Sequence, residues 1–277
     1  MDLNERGKNY FEAGKYEEAI EDFNKCLKAE PKDAFALKYR GASYGKLQRY
    51  KEAFKDLNKS VKIESNDIFS LQYRGATYRM LQKYDKAFED LSKALEIDPN
   101  NVFTLWNRGE TYRQMGKYEE SLADLNKAIE VEPNNAKALA SRGETYRRMD
   151  KYDEALSDLN KSLEILDYIQ NVSAIVNRGL TYLRMEKDEL AISDFNKALE
   201  IEPNAFYALK GRGEAYHCLE RYDEALVDLN KALEINPDDP TALYYRGRIY
   251  LMRKNFEGLI DVTRAMNIEP KLKEMFK

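Results

Sequence analysis

The 277-residue chain is 34% charged but carries a net charge of only −4, with acidic and basic residues interspersed along it. That balance argues against a general nucleic-acid binder, which shows a strongly basic domain, and no apolar run approaches the roughly 20 residues that span a bilayer. Two cysteines far apart, Cys26 and Cys218, give no disulfide frame and point to a reducing, cytoplasmic setting.

The opening residues, MDLNERG, run straight into patterned sequence and leave no room for a signal peptide. An Arg-Gly pair then recurs eight times, at Arg6-Gly7, Arg40-Gly41, Arg74-Gly75, Arg108-Gly109, Arg142-Gly143, Arg178-Gly179, Arg212-Gly213 and Arg246-Gly247. Six of the seven intervals are 34 residues and that from Arg142 to Arg178 is 36, so one supersecondary unit is stacked on copies of itself. The copies run about 1–33, 34–67, 68–101, 102–135, 136–171, 172–205, 206–239 and 240–270, a single array over 1–270. Residues 271–277, KLKEMFK, read as a tail or the start of a further first helix without a polar cap, which points to a longer protein or to self-association through an open end.

Within each copy the apolar residues follow a helical period. In the fourth, Leu105, Gly109 and Tyr112 share one face of a first helix, and Tyr118, Leu122, Leu125 and Ile129 share one face of a second. Asp33, Asp67, Asn101, Asn135 and Asp239 stand where N-caps are wanted, with Pro240 at a first helical position. Ala205 breaks that pattern, and Asn204 is expected to serve instead. Pro31, Pro99, Pro133, Pro203, Pro237 and Pro270 close second helices. Repeat two has Ser65 in that place. Repeat five ends in LEILDYIQNVSA, with two extra residues, which predicts a longer helix or a loop near Tyr168, with a docking loop as the alternative. Asp188 stands where other repeats have Tyr or Phe and is expected to loosen that second helix.

These residues resemble the tetratricopeptide repeat family over essentially the whole chain. Its signature positions are Leu3, Leu37, Leu71, Leu105, Leu139, Ile175, Leu209 and Leu243, then the eight glycines. Tyr10, Tyr44, Tyr78, Tyr112, Tyr146, Tyr182, Tyr216 and Tyr250 follow, and then a small residue at Ala19, Ala53, Ala87, Ser121, Ala155, Ala191, Ala225 or Gly258. The resemblance implies an all-α fold, a right-handed superhelix of eight antiparallel helix pairs. The glycines are expected to let facing helices approach closely.

The chain departs from that family in carrying Arg before every Gly, where an apolar residue is usual. A buried unpaired guanidinium would cost several kcal/mol, so a partner should share the period. Asp22, Asp56, Asp90, Asp124, Asp158, Asp194 and Asp228 each lie 16 residues after their Arg, and Asp261 lies 15 after Arg246, in a copy that lacks one residue before Gly258. The spacing predicts an Arg–Asp ladder between first and second helices, within a repeat or across to the next; the alternative is an arginine row facing ligand.

The resemblance further implies that first helices line a concave face that binds extended protein segments. Counting from the Gly, its variable positions hold Phe35, Phe69 and Phe103 at −6, Trp106 at −3, and Arg79, Arg113, Arg147, Arg148 and Arg184 at +4 and +5. Arginine forks suit carboxylates and exposed aromatics suit apolar anchors, so the expected partner is an acidic protein or peptide segment with one or two large apolar residues. The competing readings are helical surface pairs of Glu110 with Arg113 and Glu144 with Arg147, and phenylalanine packing between first helices. A chaperone-tail carboxylate clamp is disfavoured: Asn107 and Lys137 match its pattern, whereas Gln72, Ala76 and Ser141 do not.

Nothing points to catalysis. No G-x-G-x-x-G or G-K-[ST] loop occurs, and the single histidine, His217, beside Cys218, makes neither a metal site nor a triad and reads as a solvated groove side chain. No cofactor or metal is expected. The reading is a non-catalytic interaction scaffold, with a self-associating arm of a longer protein as the alternative and single-stranded nucleic-acid binding as a weaker one.

Overall fold

The computed structural model describes residues 2–166 and 171–272, and every regular element among them is a helix. The chain divides into two compact units, Met1–Ser141 and Arg142–Lys277. The first contains α1 (Leu3–Glu12), α2 (Tyr16–Ala29), α3 (Ala34–Lys46), α4 (Tyr50–Ile63), α5 (Ile68–Met80), α6 (Tyr84–Ile97), α7 (Val102–Gln114) and α8 (Tyr118–Val131). The division falls inside α9 (Ala136–Arg148). The second unit continues with α10 (Tyr152–Ile165), α11 (Val172–Arg184), α12 (Asp188–Ile201), α13 (Phe206–Cys218), α14 (Tyr222–Ile235), α15 (Pro240–Met252) and α16 (Gly258–Ile268). In each unit consecutive helices pack as hairpins, and first helices also touch first helices, as α3 touches α5 and α13 touches α15. No helix among the described residues is long and apolar enough to cross a membrane.

The first helices start where the sequence places their caps. The side chains of Asp33, Asp67, Asn101, Asn135 and Asp239 accept from the backbone N–H three residues on, at 2.8–3.0 Å, which satisfies one otherwise orphaned donor each. Repeat seven is different: Ala205 itself is the N-cap of α13 and no side chain caps it, so Asn204 does not substitute. α12 keeps the 14-residue length of its counterparts despite Asp188. The segment around Tyr168 and residues 273–277 of the tail lie outside the described residues.

The hairpin turn inside each repeat needs one residue in the left-handed region. Gly14 and Gly116 take it with φ of 76° and 74°, but Gln48, Gln82, Asp150, Glu186, Glu220 and Lys254 take it with φ of 57–60°. A side chain there costs roughly 1 kcal/mol relative to glycine. Closure of the hairpin depends on a second glycine. A Cβ on Gly75 would sit 2.7 Å from Leu91 Cγ and 3.3 Å from the Ala87 carbonyl oxygen. In the last pair the approach is backbone to backbone: a Cβ on Gly247 would stand 2.7 Å from the carbonyl oxygen of Gly258. The residue over the ladder glycine is fully buried, as Phe23, Leu57, Leu91, Leu125, Leu159, Phe195 and Leu229 show, each stabilising the fold by about 1.5–3 kcal/mol.

Each such residue follows a ladder aspartate. In all eight repeats the arginine donates through Nε and Nη2 to both carboxylate oxygens at 2.6–2.9 Å, within the repeat. The late start of α16, which has 11 residues, leaves Arg246–Asp261 intact. The aspartates are buried, Asp22 to 2% exposure, and hydrogen bonding from Arg6 holds its carboxyl below the usual carboxylate range despite the burial. The third arginine nitrogen reaches back to the preceding second helix, where it donates to Asn24, Asn58, Ser92, Asn160, Asn196 or Asn230 at 2.6–3.2 Å. Each of these six guanidinium groups thus ties together three helices. The family-typical tyrosine lies one turn on, its ring about 6 Å from the guanidinium in pairs such as Arg74–Tyr78 and Arg212–Tyr216.

Two outcomes follow from this geometry. Gln48→Gly and Gln82→Gly should each raise the unfolding free energy in urea by about 0.5–1 kcal/mol; a loss at both would mean that the left-handed turn is not strained. Arg108→Leu should cost about 3 kcal/mol or more by stranding a buried carboxylate, and Arg108→Leu with Asp124→Leu should cost less than the single change. A double variant as unstable as the sum of the two would remove the pairing.

Candidate functional site

In the first unit the first helices present a run of aromatic rings. Phe35 lies 4.7 Å from Tyr39, Tyr39 4.6 Å from Phe69, Phe69 4.5 Å from Tyr73, Tyr73 5.0 Å from Phe103 and Phe103 6.1 Å from Trp106. Phe11 on α1 adds edge contacts of 5.6–6.1 Å to Tyr39, Phe69 and Tyr73. Period explains the run. Positions −6 and −2 are one helical turn apart on the same face, and neighbouring first helices bring each Phe beside the preceding repeat's Tyr. The rings are half-buried, so each packs on one side and stays open on the other.

Cations border this run. Lys38 stands 5.9 Å from the rings of Phe35 and Phe69 and is bound to Asp67 at 2.9 Å. Lys46 Nζ lies 5.9 Å from both Tyr73 and Phe103 and makes no ion pair among the described residues. Burial and the nearby charge of Lys137 pull its pKa below that of an ordinary lysine. Arg79 lies 5.7 Å from the Trp106 ring, and among the described residues its Nη2 donates only to the neutral Asn107 oxygen, at 3.3 Å. Its Nε is out of solvent with no partner, and burial pulls its pKa down, with Arg113 adding to the effect and Glu110 opposing it. Lys137 Nζ also stands near the Trp106 ring, at 6.0 Å. The indole N–H donates to Ser141 Oγ at 2.8 Å, fixing the ring.

A pocket of about 170 Å³ opens between α3, α5 and α7, with Lys46, Tyr73, Arg79, Phe103 and Trp106 in its wall. Behind it Arg113 donates to Glu110 at 2.7 and 3.2 Å. Burial alone would push the Glu110 carboxyl up. The charge and hydrogen bonds of Arg113, with Arg79 and the Ser141 hydroxyl, bring it below the ordinary range.

The second unit has a different first-helix face. Arg148 lies 3.6 Å from Glu144, and Arg147 donates to Asn177 at 3.3 Å while standing 3.9 Å from the same glutamate. Arg184 meets Glu214 at 3.2 Å, and that buried carboxylate also accepts from the Tyr245 hydroxyl at 2.9 Å. His217 lies 4.9 Å from the Tyr245 ring and 5.9 Å from that of Tyr222, with both ring nitrogens out of solvent and unpartnered. Burial first, and the charge of Arg248 second, pull its pKa down to about 4. The expectation of a solvated side chain therefore fails: neighbouring tyrosines cover the imidazole. Among the described residues no three His, Cys, Asp or Glu side chains are grouped to hold a metal.

Tetratricopeptide repeat models match residues 2–33, 40–67 and 213–253, and one of them matches the overlapping stretches 67–134, 101–167 and 134–204. The chain is a tetratricopeptide repeat protein. It resembles a chain in the crystal structure of the APC/C hetero-tetramer Cut9–Hcn1, at TM-score 0.79 and 17% identity, over 92% of this chain and 50% of that one. This protein thus spans half the length of that relative. A tetratricopeptide repeat protein from Parabacteroides merdae matches at TM-score 0.67 and 19% identity, over 90% of this chain and 97% of that one. Pseudomonas aeruginosa pilF matches at TM-score 0.61 and 19% identity, over 76% and 91%. At these identities the likeness shows the fold alone. No curated protein matches.

Of the residues expected to line the groove of this tetratricopeptide repeat protein, the structure gathers Phe35, Phe69, Phe103, Trp106 and Arg79 on one face of the first unit. Arg113 is in the same unit but engaged by Glu110, as a buried pair and not the surface pair weighed as its alternative. Arg147, Arg148 and Arg184 belong to the second unit and face carboxylates there. Sequence reasoning missed Phe11, Tyr39, Tyr73 and Lys46. Of the clamp-like residues, Asn107 is spent on the Phe103 carbonyl at 2.8 Å and on Arg79, which removes it as a ligand group.

His217 supplies a pH test. Its folded pKa lies below that of an unfolded histidine, so the unfolded chain binds the proton first and stability is lost as pH falls from about 6.5 towards 4. His217→Phe should lose less melting temperature between pH 7 and pH 5 than the wild type does. Equal losses would show that the imidazole is hydrated.

Proposed function

We propose that this protein is a non-catalytic protein-interaction scaffold whose first unit takes an extended acidic segment, with one or two large apolar residues, along its first helices. Tetratricopeptide folds generally serve as such scaffolds; the specific reading rests on the aromatic run from Phe35 to Trp106 bordered by Lys46, Arg79 and Lys137, cations without ion-pair partners among the described residues. Half-open rings supply apolar anchors at low entropic cost, and unpaired cations supply orientation and a fast, salt-dependent encounter. Arg113, Arg147, Arg148 and Arg184 contribute field more than direct forks, because neighbouring glutamates already occupy them. The two free cysteines fit work in the cytoplasm.

A second reading, self-association, draws on α16. Second-helix aromatics such as Phe54 and Phe88 pack on the next repeat's tyrosine, at 5.2 Å from Tyr78 and 5.4 Å from Tyr112. Their counterpart Leu259 is exposed, as are Phe256 and Ile260. Light scattering that shows a concentration-dependent dimer, lost in Ile260→Lys, would favour this reading over a monomeric scaffold.

The scaffold reading is tested by fluorescence anisotropy with labelled peptides of about fifteen residues, rich in Glu and carrying two Phe, against a Lys-for-Glu counterpart. The acidic peptide should bind, weaken at least about tenfold with Phe69→Ala plus Trp106→Ala, and be indifferent to Lys55→Ala on the outer surface of α4. Equal binding of the basic peptide, or equal loss with Lys55→Ala, would refute it. Circular dichroism checks that the variants fold.

A further inference from the structure

We propose that the pocket between α3, α5 and α7 is a built anchor for one side-chain carboxylate of the bound segment, an Asp or Glu standing next to an aromatic or large aliphatic residue. This rests on the groove reading above and narrows it to one place and one chemistry.

Charge is the first argument. Lys46 and Arg79 line the pocket, Lys137 stands 6.0 Å from the Trp106 ring in its wall, and Arg113 behind it takes the carboxylate of Glu110. Lys38, the neighbouring cation, differs in having its own acid, Asp67. The excess is not dispersed over the surface: Lys46 feels the charge of Lys137, and Arg79 feels that of Arg113. Like charges held together at this range repel, and an anion between them removes the repulsion and gains two or three charge-assisted contacts.

Arg79 is the second argument. The +1 position one turn before it is Ala76, whereas Arg113 and Arg147 have Glu110 and Glu144 there. No acid from its own helix reaches it. Its planar group lies over the Trp106 face, which leaves the guanidinium edge as its polar surface. An arginine this buried, with its Nε unpartnered and one neutral amide as its hydrogen-bond acceptor, is short of acceptor atoms. A carboxylate supplies them.

The wall is the third. Apart from Lys46, Arg79 and Asn107, the pocket is mostly hydrocarbon and rings, including Tyr73, Phe103 and Trp106. A carboxylate alone would leave these rings wet, whereas a neighbouring Phe, Leu or Ile on the same segment would cover them. The occupant is therefore amphipathic over two adjacent residues, which matches an extended peptide whose successive side chains diverge.

Trp106 is the only tryptophan in the chain, so its emission reports this pocket directly. The probes are a blocked twelve-residue peptide with one Glu-Phe pair, its Gln-Phe counterpart, and a Gln-Phe peptide with a free terminal carboxylate. The variant is Lys46→Gln with Lys137→Gln; neither side chain makes an ion pair among the described residues, so neutralising them strands no partner. The Glu-Phe peptide should shift Trp106 emission saturably and bind at least about tenfold tighter than Gln-Phe, and the double variant should erase that difference. Equal binding of Glu-Phe and Gln-Phe, with both still lost in Phe69→Ala, would overturn the anchor and leave the groove reading standing. Preference for the free terminus alone would overturn the side-chain assignment. Binding by none of the three would sink both.

Discussion

The constraint on which the structure depends is a bidentate pair made eight times, between an arginine on a first helix and a buried aspartate on the second. Its strength as a stabilising element is modest, because desolvating two charges offsets much of their attraction. Its consequence for geometry is large. A planar fork meeting a carboxylate fixes distance, rotation and register at once, and in six of the pairs the remaining nitrogen ties the same guanidinium to the preceding second helix. The neighbouring glycine then allows backbones close enough for the pair to form without stretching, and the fully buried Leu or Phe closes over it.

With the arginines and aspartates spent between helices, the hairpins leave first-helix side chains at positions −6, −3, −2, +4 and +5 free of structural duty. In the first unit these include a run of rings beside Lys46 and Arg79, which make no ion pair among the described residues, and Lys38 and Arg113, which do. In the second they are arginines already matched to Glu144 and Glu214, with an imidazole under two tyrosines. The two units share one scaffold but offer different chemistry, and the face we propose for an acidic, apolar segment belongs to residues 1–141.

Much of this was legible in the sequence. Helix pairs, caps, the close glycines and the ladder all repeat with the same period, and a residue pair that keeps its spacing through eight copies is a one-dimensional signal of a three-dimensional contact. Single-copy features were not legible. Position −2 is Tyr39, Tyr73 or Tyr245 in three repeats but Glu5, Asn107, Ser141, Asn177 or Gly211 in the others, so its part in the aromatic run had no repeating signature. The left-handed turn hid because six repeats put Gln, Asp, Glu or Lys where glycine would have announced it. His217 was misread because its cover comes from Tyr245, one repeat on. Arg79 and Arg113 share position +4, and what separates them is Ala76 against Glu110, a difference that was present in the sequence and becomes decisive only when a salt bridge is or is not there to see.

The account stands or falls on which surface makes contact. Amide and aromatic NMR shifts of the whole chain, recorded while an acidic, phenylalanine-bearing peptide is titrated in, test that directly. The account predicts that perturbations concentrate on Lys46, Phe69, Tyr73, Arg79, Phe103 and Trp106, leaving the outer surfaces of α4, α6 and α8 unmoved. Perturbations centred on those second helices, or spread evenly along both units, would contradict it.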